Sequence, residues 1–414
     1  MCTPGVRMMI KAAIKLIRTV VATLTLASAA ASAYQGALAI LSYLSSDRRS
    51  PLSPEPAEQS VLVLIPAHNE ETTIGPCLDD VEALESQGRR PRIVVIADNC
   101  TDDTARVVAA RGMEVLVRED PENRGKGEAL AWALKHHDLL DETDVVFMLD
   151  ADDRPEAHAL DAALAERARI GASIVQVAHI SGGIDESPAS AIDRWATTLI
   201  NRVRPRGLSL LGLPTRLQGG GMLFDADVLR ALGWPTGGIS EDMFASLVFL
   251  DEGYHIGFTD NAVVWALSER GEEARRSQRL RWESGRLLAV WEVPRLVRTA
   301  LTRPSGGHAV MAAHVLVPPL TVHVASLGFE LVIAGRRPWL RRLVLAGGLA
   351  TAVYLAEGLR LLGRRDLANR AVAAGLRFGW WKLKIQVEAL RRFRTVRWEA
   401  HSEDEAHARG GEPS

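Results

Sequence analysis

Residues 144–153 read DVVFMLDADD, an apolar run that ends in three carboxylates within four residues. Apolar side chains at every position, rather than at every second one, are typical of a strand that is buried on both faces of a sheet. Ligands of open α/β sheets bind beyond the carboxyl ends of the strands. The stretch therefore predicts a buried parallel strand with two candidate ligand-binding carboxylates, Asp150 and Asp152, at its tip.

Three more apolar runs of this kind lie on the N-terminal side, with helical stretches between and after them. Strands are predicted over residues 61–65, 92–97, 113–117 and 144–149, and helices over residues 70–86, 102–111, 126–137 and 156–169. Strands that alternate with helices imply a mostly parallel sheet with right-handed crossovers. The middle of the chain is therefore predicted to be an α/β domain.

The composition of the whole chain excludes several classes of protein. With 414 residues, 47% hydrophobic and 24% charged, the chain has room for two or three compact units and is not disordered throughout. A formal net charge of -2 provides no basic field that would attract nucleic acid. Three cysteines with no Cys/His cluster argue against a disulfide-built secreted protein and against structural zinc.

The N-terminal stretch 19–44 contains no charged side chain and is long enough to cross a bilayer, which needs about 20 apolar residues. Basic residues before it and the small triplet Ala-Ser-Ala at 31–33 also resemble a signal peptide with its cleavage site. Because the apolar run continues to Leu44, we favour a retained anchor. The Ser- and Pro-rich stretch 45–60 predicts a linker.

Two more apolar stretches lie in the C-terminal third. Residues 309–334 are long enough to cross a membrane, although Pro318-Pro319 should kink the helix. Residues 343–362 are a weaker candidate, because Glu357 and Arg360 are costly at membrane depth. The alternative is a hydrophobic helical hairpin packed on a soluble domain. Residues 371–394 mix tryptophans with basic residues and predict an interfacial helix, and the polar tail from Glu399 is predicted to be disordered.

These observations divide the chain into five predicted regions: an anchor over 1–50, a linker over 51–60, a catalytic domain over 61–290, interfacial and transmembrane helices over 291–395, and a polar tail over 396–414.

Polar residues follow the predicted strands where a ligand would bind. Asn69 and Glu70 follow the first strand; Asn69 could instead cap the next helix. Asp98 ends the second strand, where a carboxylate can bind a nucleobase or ribose or simply form a turn. Asp150 and Asp152 end the fourth strand, and two close carboxylates suit a hard divalent ion such as Mg²⁺ or Mn²⁺, although an acidic turn is a common alternative.

The loop NRGKG at residues 123–127 allows close backbone approach and supplies a cation, Lys126. It matches neither the GxxxxGK[ST] phosphate loop nor the GxGxxG fingerprint, which argues against a P-loop NTPase and a classical dinucleotide oxidoreductase. Further on, QGGG at 218–221 fits a substrate-lined groove or a plain turn.

Two motifs lie near the end of the predicted domain. Ser240-Glu241-Asp242 begins a helical stretch, where simple N-capping is the structural alternative. The side chains of Gln278, Arg281 and Trp282 stand at i, i+3 and i+4 and share one helix face, which could be plain surface packing or a stacking platform with a cation.

The motifs IPAHNEE, ADNCTDDT, NRGKG, DADD, SED and QRLRW, in this order and between apolar helices, resemble those of family 2 glycosyltransferases of the GT-A type. More narrowly, they are similar to the membrane-integrated branch that includes cellulose, chitin and hyaluronan synthases. The cellulose synthase pattern has Thr-Glu-Asp where this chain has Ser240-Glu241-Asp242, and both carboxylates remain. The resemblance implies a GT-A catalytic domain with a Rossmann-like, mostly parallel sheet and N- and C-terminal membrane helices.

The resemblance also implies roles for individual residues. Asn69, Glu70 and Asp98 would hold the uridine of a UDP-sugar donor, and Lys126 would also bind the donor. Asp150 and Asp152 would hold the diphosphate through a divalent cation, Mg²⁺ or Mn²⁺. Asp242 would be the general base.

The helical motif has implied roles of its own: Gln278, Arg281 and Trp282 would bind the diphosphate and the acceptor sugar. A single base with direct attack gives inversion at the anomeric carbon. The expected enzyme is thus an inverting hexosyltransferase that acts on a polysaccharide or lipid-linked acceptor, with membrane lipids and no nucleic acid as partners.

A catalytically silent nucleotide-sugar-binding scaffold or sensor is the alternative function, and a hydrolysis assay with donor alone would separate the two. Nucleotide sugars are cytoplasmic, so we expect a multi-pass protein of the cytoplasmic membrane with its catalytic domain in the cytoplasm. The basic residues before residue 19 and at 336–342 conflict with this orientation. Either the first helix lies partly in the interface, or the Pro318-Pro319 segment re-enters without crossing.

Overall fold

The computed structural model describes residues 4–45, 59–84, 90–182, 187–237, 241–267, 272–303, 306–335 and 337–409. These residues contain one sheet of eight strands. The strands are β1 (Val61–Ala67), β2 (Arg92–Asp98), β3 (Glu114–Arg118), β4 (Val145–Met148), β5 (Asp153–Pro155), β6 (Ile174–Ser181), β7 (Met222–Asp225) and β8 (Ile256–Ala266). Their order across the sheet is β3-β2-β1-β4-β7-β6-β8-β5.

The sheet is mixed, with mostly parallel strands. Strands β3, β2, β1 and β4 run parallel, and so do β6 and β8. Strand β7 is antiparallel to both neighbours, β4 and β6, and the short β5 is antiparallel to β8. The α/β class predicted from the sequence is confirmed, and the four predicted strands agree with β1 to β4 to within two residues.

Helices surround the sheet and form both ends of the described chain. They are α1 (Pro4–Leu44), α2 (Ile74–Glu82), α3 (Thr104–Ala110), α4 (Lys126–His136), α5 (Ala159–Ile170), α6 (Pro188–Thr198), α7 (Arg204–Leu210), α8 (Ala226–Leu232), α9 (Glu241–Asp251), α10 (Glu272–Ala289), α11 (Val293–Thr302), α12 (Gly307–Leu316), α13 (Leu320–Ala334), α14 (Pro338–Leu361) and α15 (Arg365–Arg409). A π-helical turn, Leu199–Val203, joins α6 to α7, and a 3₁₀ turn, Val290–Glu292, joins α10 to α11.

The core lies on both faces of the sheet, as the uninterrupted apolar runs require. Leu62 and Leu64 of β1 pack on the side of α4 and α9, whereas Val63 and Ile65 pack on the side of α2 and α5. All four side chains are completely buried. The tips of the central strands are thereby held rigidly, which positions the polar residues that follow them.

The alternative that Asn69 caps the next helix is wrong. The first crossover helix begins at Ile74 with Thr73 as its N-cap, four residues later than the sequence predicts. Asn69 instead adopts a left-handed backbone conformation with φ of 55°. Its Oδ1 accepts a hydrogen bond of 2.7 Å from the backbone N–H of Thr101, so this side chain joins the loops that follow β1 and β2.

Two described helices are long and apolar enough to cross a membrane: Arg18–Leu44, within α1, and Pro338–Leu361, which is α14. The predicted span over 309–334 is not one straight helix. It divides into α12 and α13, which meet at a bend of 63° where Pro318-Pro319 interrupts the backbone hydrogen bonds. The bent pair would count as a third candidate only if both helices form a single span.

The helices α1 and α14 pack closely, side by side. A Cβ atom at Gly36 would lie 2.9 Å from the Cβ of Ala350, so the glycine permits this approach. Glu357, which is costly in an apolar environment, accepts hydrogen bonds from Ser42 Oγ at 2.8 Å and from Arg360 at 2.6 Å. The charges that weakened the sequence prediction for this helix therefore neutralise each other.

Large apolar side chains on α13 and α14 remain uncovered. Phe329 is 66% exposed, Val332 79% and Leu349 69%. A helical hairpin packed on a soluble domain would bury such residues, so the exposed apolar surface favours contact with lipid over that alternative.

The C-terminal region is one long helix. The predicted interfacial helix 371–394 lies within α15, where Trp380 is 65% exposed. The prediction of a disordered tail from Glu399 is wrong up to Arg409, because α15 continues to that residue. Residues 399–409 contain three alanines and three glutamates, which favour helix. Most of the predicted linker, residues 46–58, lies outside the described residues.

We predict that residues 19–44 remain part of the mature protein. The small triplet that resembles a cleavage site lies inside α1, where Ser32 is buried and contacts His323 of α13 at 2.9 Å. The mature N-terminus should precede Thr19, and the protein should resist extraction from membranes by alkaline carbonate. N-terminal sequencing that finds a soluble protein starting near Tyr34 would contradict the prediction.

Candidate active site

A cleft of about 580 Å³ opens at the carboxyl ends of β1, β2 and β4. Its volume lies within the range of ligand pockets, roughly 300–1,000 Å³. Eight of the residues predicted from the sequence line it: Glu70, Asp98, Lys126, Asp150, Asp152, Asp242, Arg281 and Trp282. Asn69 does not line this cleft and lies between two residues that do. Ser240 and the side chain of Gln278 lie outside the described residues.

Asp98 occupies the end of β2 and is 5% exposed. Its Oδ1 accepts hydrogen bonds from Arg118 Nη1 at 2.6 Å and from Asn99 Nδ2 at 2.9 Å. Arg118 stands opposite Asp98 in the register of β2 and β3 and is itself buried. The ion pair fixes the carboxylate at the cleft wall, so Asp98 does more than form a turn. Arg118 was not predicted from the sequence. The available indication was a single basic residue directly after a predicted strand.

Lys126, the first residue of α4, reaches across the cleft to the tip of β4. Its Nζ donates to Asp150 Oδ1 at 2.5 Å and to the carbonyl of Gly219 at 2.8 Å. Burial lowers the pKa of Lys126, but the carboxylates of Asp150 and Asp242 outweigh this effect and raise it above its usual value. For Asp150, burial raises the pKa, while Lys126 and His179 lower it more, so the carboxylate stays ionised.

A second cation, His179 of β6, lies beneath the acidic turn formed by residues 150–153. Its Nε2 is 2.7 Å from Asp153 Oδ1, and its Nδ1 is 2.9 Å from the carbonyl oxygen of Gln218. Because both ring nitrogens face acceptor oxygens, the ring is held as the doubly protonated imidazolium. Burial lowers the pKa of His179, but the charges of Asp153 and Asp150 raise it to about 9. Neither His179 nor Asp153 was predicted from the sequence.

The donor atoms at the tip of β4 fit a divalent cation. Burial, and then the charges of Asp153 and Asp150, raise the pKa of Asp152 well above its usual value, and a cation nearby would favour its ionised form. The ligand atoms of Asp150, Asp153 and His179 lie within 4.8 Å of one another and form a possible metal site. His179 could act as a ligand there only as the neutral ring, because the imidazolium has no free lone pair. Carboxylate oxygens are the ligands that Mg²⁺ and Mn²⁺ prefer.

The glycines of QGGG make room for these carboxylates. A Cβ atom at Gly220 would overlap Asp153 Oδ2 and would lie 3.0 Å from His179 Nε2. At Gly219, where φ is +101°, a Cβ atom would lie 3.2 Å from Asp242 Oδ2 and 3.4 Å from Asp150 Oδ2. Gln218 and Gly219 line the cleft, so of the two alternatives the stretch fits a groove better than a plain turn. Its backbone is also where the carboxylates of β4 and α9 converge.

Glu241 and Asp242 begin α9 and face different partners. Glu241 Oε2 accepts a hydrogen bond of 3.1 Å from the backbone N–H of Gly127, in the first turn of α4. Burial raises the pKa of Glu241, and Lys126 lowers it in part. Glu241 thus stabilises the start of the helix that carries Lys126, and both Glu241 and Asp242 line the cleft. The carboxylates of Glu241 and Asp242 therefore do more than cap α9.

The helix α10 places its motif at the mouth of the cleft. Arg281 is exposed, and Trp282 is 45% exposed. Arg279, which lies between the motif positions, is buried and forms an ion pair with Asp193 of α6. Its guanidinium also stacks 5.5 Å from the ring of Trp282 and 5.3 Å from the ring of Phe378. Arg279 therefore anchors α10 so that Arg281 and Trp282 face the cleft; the sequence reasoning missed it.

Comparison with known proteins identifies the family. The sequence profile of the family described as "Glycosyltransferase like family 2" matches residues 56–285. A probable glycosyltransferase of Bacillus subtilis (strain 168), YdaM, is 26% identical over 258 residues, which are 60% of each chain. An uncharacterized glycosyltransferase of Escherichia coli (strain K12), YaiP, is 30% identical over 244 residues, 55% of this chain and 56% of its own. The chain thus spans less than two thirds of these curated relatives.

A solved structure resembles the fold. The mannosyltransferase PcManGT from Pyrobaculum calidifontis, in complex with GDP-Man and Mn²⁺, aligns with 85% of this chain and 99% of its own, with a TM-score of 0.52 and 20% sequence identity. This similarity confirms the GT-A fold predicted from the sequence motifs.

We predict that Gly220→Ala destabilises the protein. The added methyl group would overlap Asp153 and displace the buried pair with His179, and overpacking of this kind costs about 1–3 kcal/mol. Gly375→Ala is the matched control, because no atom lies within 4 Å of its Cβ position and alanine favours helix by about 0.5–1 kcal/mol. Thermal unfolding should show a lower midpoint for Gly220→Ala only; equal midpoints would refute the packing argument.

Proposed function

We propose, on the premise that this chain belongs to glycosyltransferase-like family 2 and is a glycosyltransferase, that it transfers a sugar from a UDP-sugar to a polysaccharide or lipid-linked acceptor with inversion. One observation carries this proposal. The Oδ2 atoms of Asp242 and Asp150 approach the same point of the backbone, Gly219, from α9 and β4. A base and the carboxylate that would hold a donor's diphosphate thus flank one small space in the cleft.

The donor would lie across the strand tips. Asp98, fixed by Arg118, and Glu70 line the end of the cleft near β1 and β2, and they would bind the nucleoside. Lys126 would hold a phosphate oxygen. The structurally similar archaeal mannosyltransferase was solved with GDP-Man, so the base of the donor is the first property to test, by ranking UDP- and GDP-sugars.

Asp150 and Asp152 would hold a divalent cation, Mg²⁺ or Mn²⁺, which when bound neutralises charge on the departing diphosphate. Arg281, exposed at the mouth of the cleft, would add a positive charge on the other side of the diphosphate. His179 and Asp153 would keep the acidic turn in place from below.

Asp242 would remove the proton of the acceptor hydroxyl. A general base must come within hydrogen-bond reach of the proton that it takes, and Asp242 lines the cleft at the level of Lys126 and Asp150. Trp282 would provide the apolar face on which an acceptor sugar packs.

The location proposed for the reaction is the cytoplasmic face of a membrane. The apolar helices α1 and α14 support attachment, and α7 of the catalytic domain packs on α1, since a Cβ atom at Gly207 would lie 2.6 Å from the carbonyl oxygen of Leu38. A multi-pass topology and a cytoplasmic catalytic domain are part of this proposal, because the nucleotide sugars are cytoplasmic.

Transfer should depend on a divalent cation. We expect EDTA to abolish UDP release and Mg²⁺ or Mn²⁺ to restore it, and Asp152→Asn to lose nearly all activity while remaining folded. Asp227→Asn is the control, because this carboxylate lies on α8 with its side chain 90% exposed. Full turnover in EDTA would exclude the metal from the proposal.

Asp242→Asn should separate chemistry from binding. The amide is nearly isosteric but cannot take a proton, so the rate should fall about 10²–10⁴-fold, the range of general acid–base catalysis. UDP binding, measured by calorimetry, should stay near that of the wild type, because Asp98 and Lys126 remain.

Two controls accompany this variant on the same preparations. Glu241→Gln keeps an acceptor oxygen for Gly127 and should change the rate only a few-fold. Trp282→Ala should weaken acceptor use while donor binding is retained. If Asp242→Asn turned over within a few-fold of the wild type, Asp242 would not be the base. Transfer by none of the proteins would instead favour a nucleotide-sugar-binding scaffold.

A further inference from the structure

Three arginines meet where the catalytic domain joins the apolar helices. Arg204 begins α7, Arg216 lies in the segment before β7, and Arg286 lies on α10. Arg204 and Arg216 line a small cavity of about 20 Å³, and the electrostatic influence of Arg286 reaches both of them. Tyr34 of α1 and His314 of α12 also line the cavity. None of its residues belongs to the cleft described above.

Arg204 is the most deeply buried of the three, at 6% exposed. Its Nε donates to the hydroxyl of Tyr354 at 3.0 Å, while its buried Nη1 has no hydrogen-bond partner among the described residues. The neighbouring Arg202 and Arg206 differ sharply, because both pair with the carboxylate of Asp260. The same short segment thus supplies a carboxylate for two of its arginines and none for the third.

The other two arginines also contact only neutral oxygens within the described chain. Arg216 donates to the carbonyl of Leu217 and to Asn201 Oδ1, each at 2.8 Å, and Arg286 donates to the carbonyl of Val317. Burial lowers the pKa of Arg216 to about 10, and it lowers that of Arg286 to about 10 together with repulsion from Arg204. Both groups are still protonated at neutral pH.

The charge of Asp242 acts on Arg216 and that of Glu283 acts on Arg286, but they offset the lowering of these pKa values only in part. A group of like charges that is only partly balanced is costly, and an unpaired buried donor adds to that cost. An anion in the cavity would remove both costs. Arginine pairs with phosphate through two parallel N–H···O bonds and is weakly hydrated, so it suits a desolvated phosphate site better than lysine does. The volume of 20 Å³ holds about one water-sized atom, which matches one phosphate oxygen between the guanidinium groups.

The position of the cavity indicates where the phosphate comes from. Tyr34 belongs to the apolar part of α1, and both Tyr34 and His314 are half-buried, so the cavity is reached beside the membrane helix. We propose that Arg204, Arg216 and Arg286 bind the phosphate group of a membrane lipid at this junction. One oxygen enters the cavity toward Arg204 Nη1, and the rest of the headgroup stays at the entrance beside Tyr34.

The site bears on acceptor use without depending on the proposed transfer reaction. The charge of Asp242 acts on Arg216, so the cavity lies behind the acceptor side of the cleft. Binding can nevertheless be measured without donor, metal or acceptor, so failure of this proposal is distinguishable from failure of the proposed function.

The test uses the full-length protein in detergent without nucleotide. Binding of phosphatidylglycerol is measured by native mass spectrometry and by thermal unfolding, and diacylglycerol with the same acyl chains serves as the phosphate-free lipid. Inorganic phosphate is titrated separately. The variants are Arg204→Gln and Arg216→Gln. Arg202→Gln is the matched control, because it removes the same charge from the same segment while Arg206 still pairs with Asp260.

We expect phosphatidylglycerol to stabilise the wild type and Arg202→Gln, and its affinity to fall about tenfold or more in Arg204→Gln and Arg216→Gln, as the loss of a charged hydrogen bond predicts. Diacylglycerol should have no such effect. If Arg204→Gln does not fold, Arg216→Gln gives the same comparison with a half-buried side chain.

Equal phosphatidylglycerol binding by the wild type and both cavity variants would overturn the proposal. Variant-sensitive binding of inorganic phosphate without binding of phosphatidylglycerol would overturn the lipid as the source and leave a site for free phosphate.

Discussion

The structure depends on the packing of three carboxylates at the tip of one buried strand. Asp150, Asp152 and Asp153 lie within four residues of one another in the sequence. Their like charges repel strongly in a desolvated cleft. Lys126 from α4 and His179 from β6 provide the opposing charges. The order of the sheet makes this possible, because only β7 lies between β4 and β6, so His179 of β6 reaches Asp153 in the acidic turn.

Much of this arrangement could be predicted from the sequence, because it depends on local pattern. Apolar runs marked the four parallel strands, and the polar residues at the ends of three of these runs include Glu70, Asp98, Asp150 and Asp152, which line the cleft. The acidic turn and Lys126 were recognisable because the edge at which parallel strands end is fixed by the topology. The helix break at Pro318-Pro319 was equally local, since proline lacks the N–H that the helix requires.

The partners that hold these residues could not be predicted, because they depend on long-range register. Arg118 meets Asp98 only through the pairing of β2 with β3, and His179 meets Asp153 across the sheet. Arg279 looked like an ordinary residue between two motif positions until α6 and α15 packed around it. In each case, the sequence shows only a single polar residue within an apolar stretch or between motif positions. The residue with which it pairs is far away in the sequence.

The π-helical turn Leu199–Val203 shows why the cleft and the apolar helices are one mechanical unit. On one side, Asn201 Nδ2 donates to the carbonyl of His179 at 2.9 Å, so the turn supports the strand that carries the second cation. On the other side, the carbonyl of Leu199 accepts a bond of 2.7 Å from Tyr354 of α14.

A π-helical turn contains one residue more than an α-helical turn of the same rise, and such turns are frequent at functional sites. The extra residue lets successive side chains face both the sheet and α14. A shift of α14 would therefore move Tyr354, Arg204 and the turn together, and it would be felt at His179 and the carboxylates. The position of the apolar helices and the geometry of the acidic turn are thus coupled through five residues.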